Sequence, residues 1–261
     1  MSARRLPAAP ATPVAAGSPA LLLIAHGSRD PRHAATVAAL VGQIRALRPD
    51  LDVATAYLDH CAPGIPQVAG RLGPHAVAVP LLLNRAFHAK HDIPAALRAA
   101  GLSLPVADVL GPSPLLLDAL DRRLGEAGLD VSSPAVRART GVVLAAAGSS
   151  DPAADAATRA VAAEWRRTRG WAAVEVAYAS AGGPRVPEAL AALRAAGATR
   201  TAVAPYLLAP GRLPDRIAGA ATAADHLADV LAPTPELAHL LLHRYTEAHT
   251  AAAAPRAALT A

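Results

Sequence analysis

Ala20-Leu-Leu-Leu-Ile-Ala-His-Gly-Ser-Arg-Asp-Pro31 is a continuous apolar run that stops at a His-Gly-Ser turn. A run without polar alternation suits a strand buried on both faces of a parallel sheet. Residues 33–47 follow with helical spacing, and Pro49 marks the exit. The pattern then returns. Leu23-Ile-Ala-His-Gly-Ser-Arg-Asp-Pro31 is matched by Leu144-Ala-Ala-Ala-Gly-Ser-Ser-Asp-Pro152, 121 residues later. The same offset of 121 relates residues 106–116, VADVLGPSPLL, to residues 227–237, LADVLAPTPEL. Val79-Pro-Leu-Leu-Leu83 matches Ala204-Pro-Tyr-Leu-Leu208 at an offset of 125. Matches kept in one order mark an internal duplication.

Within the first copy, 53–58, 75–83 and 106–110 read as further strands. Residues 65–72, 92–100 and 115–124 read as helices. Such alternation implies right-handed βαβ crossovers. The expected fold class is therefore α/β: two tandem homologous domains, each a mostly parallel four-stranded sheet flanked by helices. We set the boundaries at 20–127 and 141–249, with a Ser- and Pro-bearing linker at 128–140. Residues 1–19, rich in Ala and Pro, read as a disordered leader, and 250–261 as a tail.

Of the 261 residues 53% are hydrophobic and only 3% aromatic, so the core rests on Ala, Leu and Val. The net charge of +5 favours anionic partners, but the arginines are scattered and not interleaved with aromatics. That argues against nucleic acid and for a polyanionic small molecule. Cys61 is the single cysteine, which excludes an intrachain disulfide and a Cys-based zinc site, and a reducing, cytoplasmic setting is the default. No apolar run approaches membrane-spanning length, and no GxxxxGK[ST] phosphate loop is present.

Ligands of open parallel sheets bind beyond the carboxyl ends of the strands. There the first copy delivers His26, then Asp59 and His60, then Asn84, Arg85, His88, Lys90, His91 and Asp92. Histidines and a carboxylate from separate segments suit a borderline divalent metal. Simpler roles compete: Asp30 before Pro31 can cap a helix, His33 and His91 can be plain surface residues, and His60 alternates away if Asp59 points in. The second copy sharpens the choice. The counterparts of His26, Asp59 and His88 are Ala147, Ser180 and Leu213, while Gly148, Ser149, Asp151 and Pro152 are kept. Residues lost as a set act as a set.

Ala25-His-Gly-Ser-Arg-Asp-Pro31, Ala56-Tyr-Leu-Asp-His-Cys-Ala-Pro63 and Pro80-Leu-Leu-Leu-Asn-Arg-Ala-Phe-His-Ala-Lys-His-Asp-Ile-Pro94 together resemble the sirohydrochlorin chelatase family, class II, in its long two-domain form. The resemblance implies chelatase-like domains that insert Fe(II) or Co(II) into a tetrapyrrole without ATP, the metal being substrate and no organic cofactor being needed. It places the metal-binding and catalytic pair on His26 and His88. Asp59 joins them in the metal site, standing where the family usually has Glu; it is one methylene shorter, so a water can intervene between it and the metal, and Ala86 stands where the family has Gly, which implies a slightly different loop geometry. Neutral imidazoles can hold a metal and accept pyrrolic protons, with Asp59 supplying negative charge. Sirohydrochlorin is a polycarboxylate, for which Arg29, Arg85, Lys90 and the backbone amides of Gly27 and Ser28 are the candidate contacts. Two alternatives stay open: a metal or tetrapyrrole carrier without turnover, and a phosphatase or mutase using His26 as nucleophile. Sirohaem and cobalamin synthesis both remain as pathways, and the chain is expected as a monomer with two pseudo-equivalent domains or as a homodimer.

Overall fold

The computed structural model describes residues 18–72, 76–84 and 91–254. The first repeat runs β1 (Ala20–Ala25), α1 (Pro31–Leu47), β2 (Val53–Tyr57), α2 (Ile65–Ala69), β3 (Ala76–Pro80), α3 (Ile93–Ala99) and α4 (Pro114–Glu126). A short helix in the expected linker, α5 (Pro134–Arg137), leads to β4 (Thr140–Ala146). The second repeat continues with α6 (Pro152–Arg169), β5 (Ala173–Tyr178), α7 (Val186–Ala195), β6 (Arg200–Pro205), α8 (Arg212–Ala220), β7 (His226–Leu227) and α9 (Pro235–Ala253). Helix α9 therefore extends into residues expected to be tail.

All strand pairs are parallel, in the orders β2-β1-β3 and β5-β4-β6-β7. The first sheet has three strands rather than the expected four among the described residues. Segment 106–110 occupies the fourth position only as an isolated bridge between Ala78 and Val106. Its ladder begins at Pro105, whose carbonyl accepts from the Ala78 N–H at 2.9 Å but which has no N–H to donate. The Ala107 N–H returns one bond to the Ala78 carbonyl at 2.8 Å, and no longer strand forms.

Alternate residues of the central strands serve two separate cores. Leu21, Leu23 and Ala25 face one cluster, while Leu22 and Ile24 face another with Ile65, Val68, Ile93 and Leu97 of α2 and α3. In the second repeat Val142, Leu144 and Ala146 join the first cluster, and Val143 and Ala145 pack against α7 and α8. The shared cluster is a helical layer between the two sheets, built from α1, α4, α6 and α9. Within it the closing helices are exchanged. Helix α9 packs on β3 and α1 of the first repeat, and α4 packs on β6 of the second. Tyr245 of α9 donates its hydroxyl to the carbonyl of Pro19 at 2.6 Å, and Arg244 donates to the carbonyls of Val109 and Leu110. The exchange fixes the two sheets with their carboxyl ends toward one cleft.

Candidate active site

His26 is the residue after β1, and its carbonyl accepts the Asp59 N–H at 3.0 Å, which locks the ends of β1 and β2 together. Gly27 has φ +93, and a Cβ there would lie 1.8 Å from the Asp59 carbonyl oxygen, so only glycine fits. The Ser28 hydroxyl accepts the Asp30 N–H at 3.1 Å, and the Asp30 carboxylate accepts the Arg32 N–H at 2.9 Å as the N-cap of α1. Beneath the turn, the Cys61 thiol donates to the Ser28 carbonyl at 3.0 Å and its sulfur receives the Ser28 N–H at 3.4 Å. The Ser28 amide is thus engaged within the protein, where the sequence had left it for a carboxylate.

A cleft of about 910 Å³ runs between the repeats, within the range of ligand sites. His26, Gly27, Ser28, His33, Asn84 and His91 line one side. Ser149, Ser150, Asp155, Tyr178, Tyr206 and Arg212 line the other. The second repeat is therefore a wall of the cleft as well as a scaffold. The His26 Nδ1 lies 3.1 Å from the Gly27 carbonyl. A carbonyl can only accept, so this contact is a hydrogen bond when Nδ1 carries the proton, which leaves the lone pair on Nε2. That tautomer can ligate a cation or take up a proton.

Asp59 is exposed and is not part of the cleft wall. Its carboxylate accepts the His60 N–H at 2.7 Å and stands 3.3 Å from His60 Nε2. His60 is expected to turn away only if Asp59 points in; Asp59 does not, and His60, with φ of 62, sets its imidazole against the Asp59 carboxylate with neither residue on the cleft wall. Arg29 is exposed and does not line the cleft. Arg85, His88 and Lys90, expected at this site, lie outside the described residues. Among the described residues, no group of three or more His, Cys, Asp or Glu forms a metal-binding cluster.

His33, expected on the surface, is half-buried in the cleft wall with its Nδ1 buried and without a hydrogen-bond partner. Burial, and then the nearby His26, lower its pKa from the usual histidine value. The signal was present in the sequence. His33 stands four residues before Val37, on the stripe with the buried Leu40, Val41 and Ile44. His91, also expected on the surface, is exposed and lines the same cleft. In the second repeat the Tyr206 phenol is buried without a partner, and burial pushes its pKa well above the usual tyrosine range.

Fold and cleft define a duplicated α/β protein with its polar groups gathered at the carboxyl ends of two parallel sheets. A model of the CbiX family matches residues 20–127 and again 141–248, and the chain belongs to that family. A sirohydrochlorin ferrochelatase of Priestia megaterium is 29% identical over 243 residues, spanning 86% of this chain and 88% of the relative. A sirohydrochlorin cobaltochelatase of the same organism is 28% identical over 218 residues, spanning 76% of this chain and 66% of the relative. SirB from Bacillus subtilis, solved with Fe3+, shares the fold with a TM-score of 0.75 at 23% identity, over 90% of this chain and 97% of that one. Among the described residues no helix is long and apolar enough to cross a membrane.

Proposed function

We propose that this chain inserts Fe2+ or Co2+ into sirohydrochlorin, as an ATP-independent chelatase of sirohaem or cobalamin synthesis. The observation that carries the reading is His26, held by the β1–β2 lock on the wall of a cleft of macrocycle size. The two curated relatives named for this reaction, with iron and with cobalt, support it. The metal is substrate, and weak coordination suits an ion that must leave with the product.

In this reading residues 20–127 carry the chemistry and 141–249 form the companion repeat. His26 and His88 hold the incoming ion over the ring and accept the pyrrolic protons. Asp59, tied to His26 through the backbone but outside the cleft wall and paired with His60, adds negative charge from the end of β2. Gly27 shapes the turn, Arg85 and Lys90 are the cations of the first repeat offered to the substrate's carboxylates, and Arg29, off the cleft wall, reaches only a carboxylate that projects beyond the rim. The test is anaerobic mixing of sirohydrochlorin with Fe2+ or Co2+, followed in the visible spectrum. Wild type should exceed the non-enzymatic rate with at least one metal and His88→Ala should not. Binding of the tetrapyrrole without acceleration would replace the enzyme by a carrier.

A further inference from the structure

The stretch of sequence that carries His88 in the first repeat has a counterpart in the second, where Leu213 takes the histidine's place and Arg212 precedes it. Arg212 opens α8 on the cleft wall. It is the one arginine or lysine among the described residues that line the cleft. The arginines around it are already engaged. Arg32 pairs with Asp30 and Asp215, Arg159 with Asp155, and Arg216 donates to the Ala179 carbonyl. Arg212 is exposed and makes no ion pair or hydrogen bond among the described residues.

The placement is close to the proposed chemistry. A Cβ on Gly211 would lie 3.8 Å from the Ser28 hydroxyl oxygen, so the α8 entrance lies close to the turn that holds His26. The acidic residues of the cleft wall are spoken for: Asp151 caps α6, and Asp155 binds Arg159 and the Tyr178 hydroxyl. A guanidinium fits a carboxylate with two parallel N–H donors.

We propose that Arg212 binds a rim carboxylate of the tetrapyrrole, so that the second repeat anchors the substrate opposite the repeat that handles the metal. The inference rests on the chelatase reading and adds a substrate-binding residue from the half that lost the metal-site side chains. A charge-assisted contact at a solvent-accessible cleft is worth about tenfold in affinity.

Equilibrium titration of metal-free sirohydrochlorin, read by visible absorbance, tests it on wild type, Arg212→Ala, Arg212→Lys and Arg167→Ala. Arg167 pairs with Glu164 away from the cleft and serves as the control for net charge. Arg212→Ala should weaken binding about tenfold and flatten its salt dependence, Arg212→Lys should recover part of the loss, and Arg167→Ala should bind as wild type. In turnover, Arg212→Ala should raise KM for sirohydrochlorin and leave kcat near wild type. If Arg212→Ala does not fold, Arg212→Gln gives the same comparison. Wild-type affinity in the Arg212 variants, or an equal loss in Arg167→Ala, overturns the anchor and leaves the chelatase intact. A wild-type chain that binds no sirohydrochlorin overturns both.

Discussion

The indole N–H of Trp165 donates to the Asp121 carboxylate at 2.8 Å, joining α6 of the second repeat to α4 of the first inside the shared helical layer. Arg137 and Arg169 approach the same carboxylate at 3.4 and 3.8 Å, so one buried acid ties together the linker and both repeats.

Asp121→Ala leaves the Trp165 N–H buried and both arginines without this partner, and should destabilise the chain by about 1–3 kcal/mol. Chemical denaturation read by tryptophan fluorescence measures it, and an unchanged midpoint would refute the role given to this contact. Burial raises the Asp121 pKa, against the opposing pull of Trp165, Arg137 and Arg169. The folded state then holds this proton more tightly than the unfolded state. Its contribution to stability falls as pH rises from the ordinary carboxylate value of 3.8 through the raised one. Asp121→Asn should remove that part of the slope.

Gly27 and Gly148 are equivalent in the two repeats, with φ of +93 and +89 and room for no Cβ against the carbonyl oxygens of Asp59 and Ala181. Alanine at either position should lower the melting temperature markedly, at a cost of about 2 kcal/mol or more. Their effects on turnover should differ. Gly27→Ala displaces His26 and abolishes insertion, whereas Gly148→Ala, measured well below its melting temperature, keeps a substantial rate. Equal loss of turnover would argue against confining the metal chemistry to the first repeat.

His33 predicts a second pH dependence, of opposite sign but from the same cause, burial. Its pKa is lowered from 6.5, chiefly by burial, so just below that value the unfolded chain binds the proton more tightly. Stability therefore rises with pH through the window below 6.5 and this contribution is flat above it. Thermal unfolding of wild type and His33→Gln across this window should show a steeper rise of stability with pH in wild type.

The duplication, the strand ending at His26 and the glycine turn were legible because each leaves a local mark: a continuous apolar run, a repeated Gly-Ser, an Asp before Pro. The exchange of α4 and α9 leaves none. An apolar helix face shows that something is covered, and in a duplicated chain either closing helix fits either sheet. Val106-Ala-Asp-Val-Leu110 has the composition of a fourth strand, but it begins beside Pro105 and forms only a bridge. The spacing of His33 to Val37 puts it on the buried stripe, a placement that residue type alone does not announce because a histidine reads as surface unless its helix face is counted. The pairing of His60 with Asp59 depends on a positive φ that nothing in the residue type announces.

The most direct test of the central claim is the initial rate of insertion into sirohydrochlorin of Fe2+ or Co2+, whichever wild type accelerates more, by wild type, His26→Ala and Ser180→Ala, with the uncatalysed rate subtracted. Ser180 occupies in the second repeat the place of Asp59, and its hydroxyl donates to the Ala147 carbonyl at 2.6 Å. The account predicts that His26→Ala falls to the uncatalysed rate while Ser180→Ala stays within a few-fold of wild type. A His26→Ala chain that turns over like wild type, or a Ser180→Ala chain that fails as completely, would contradict it.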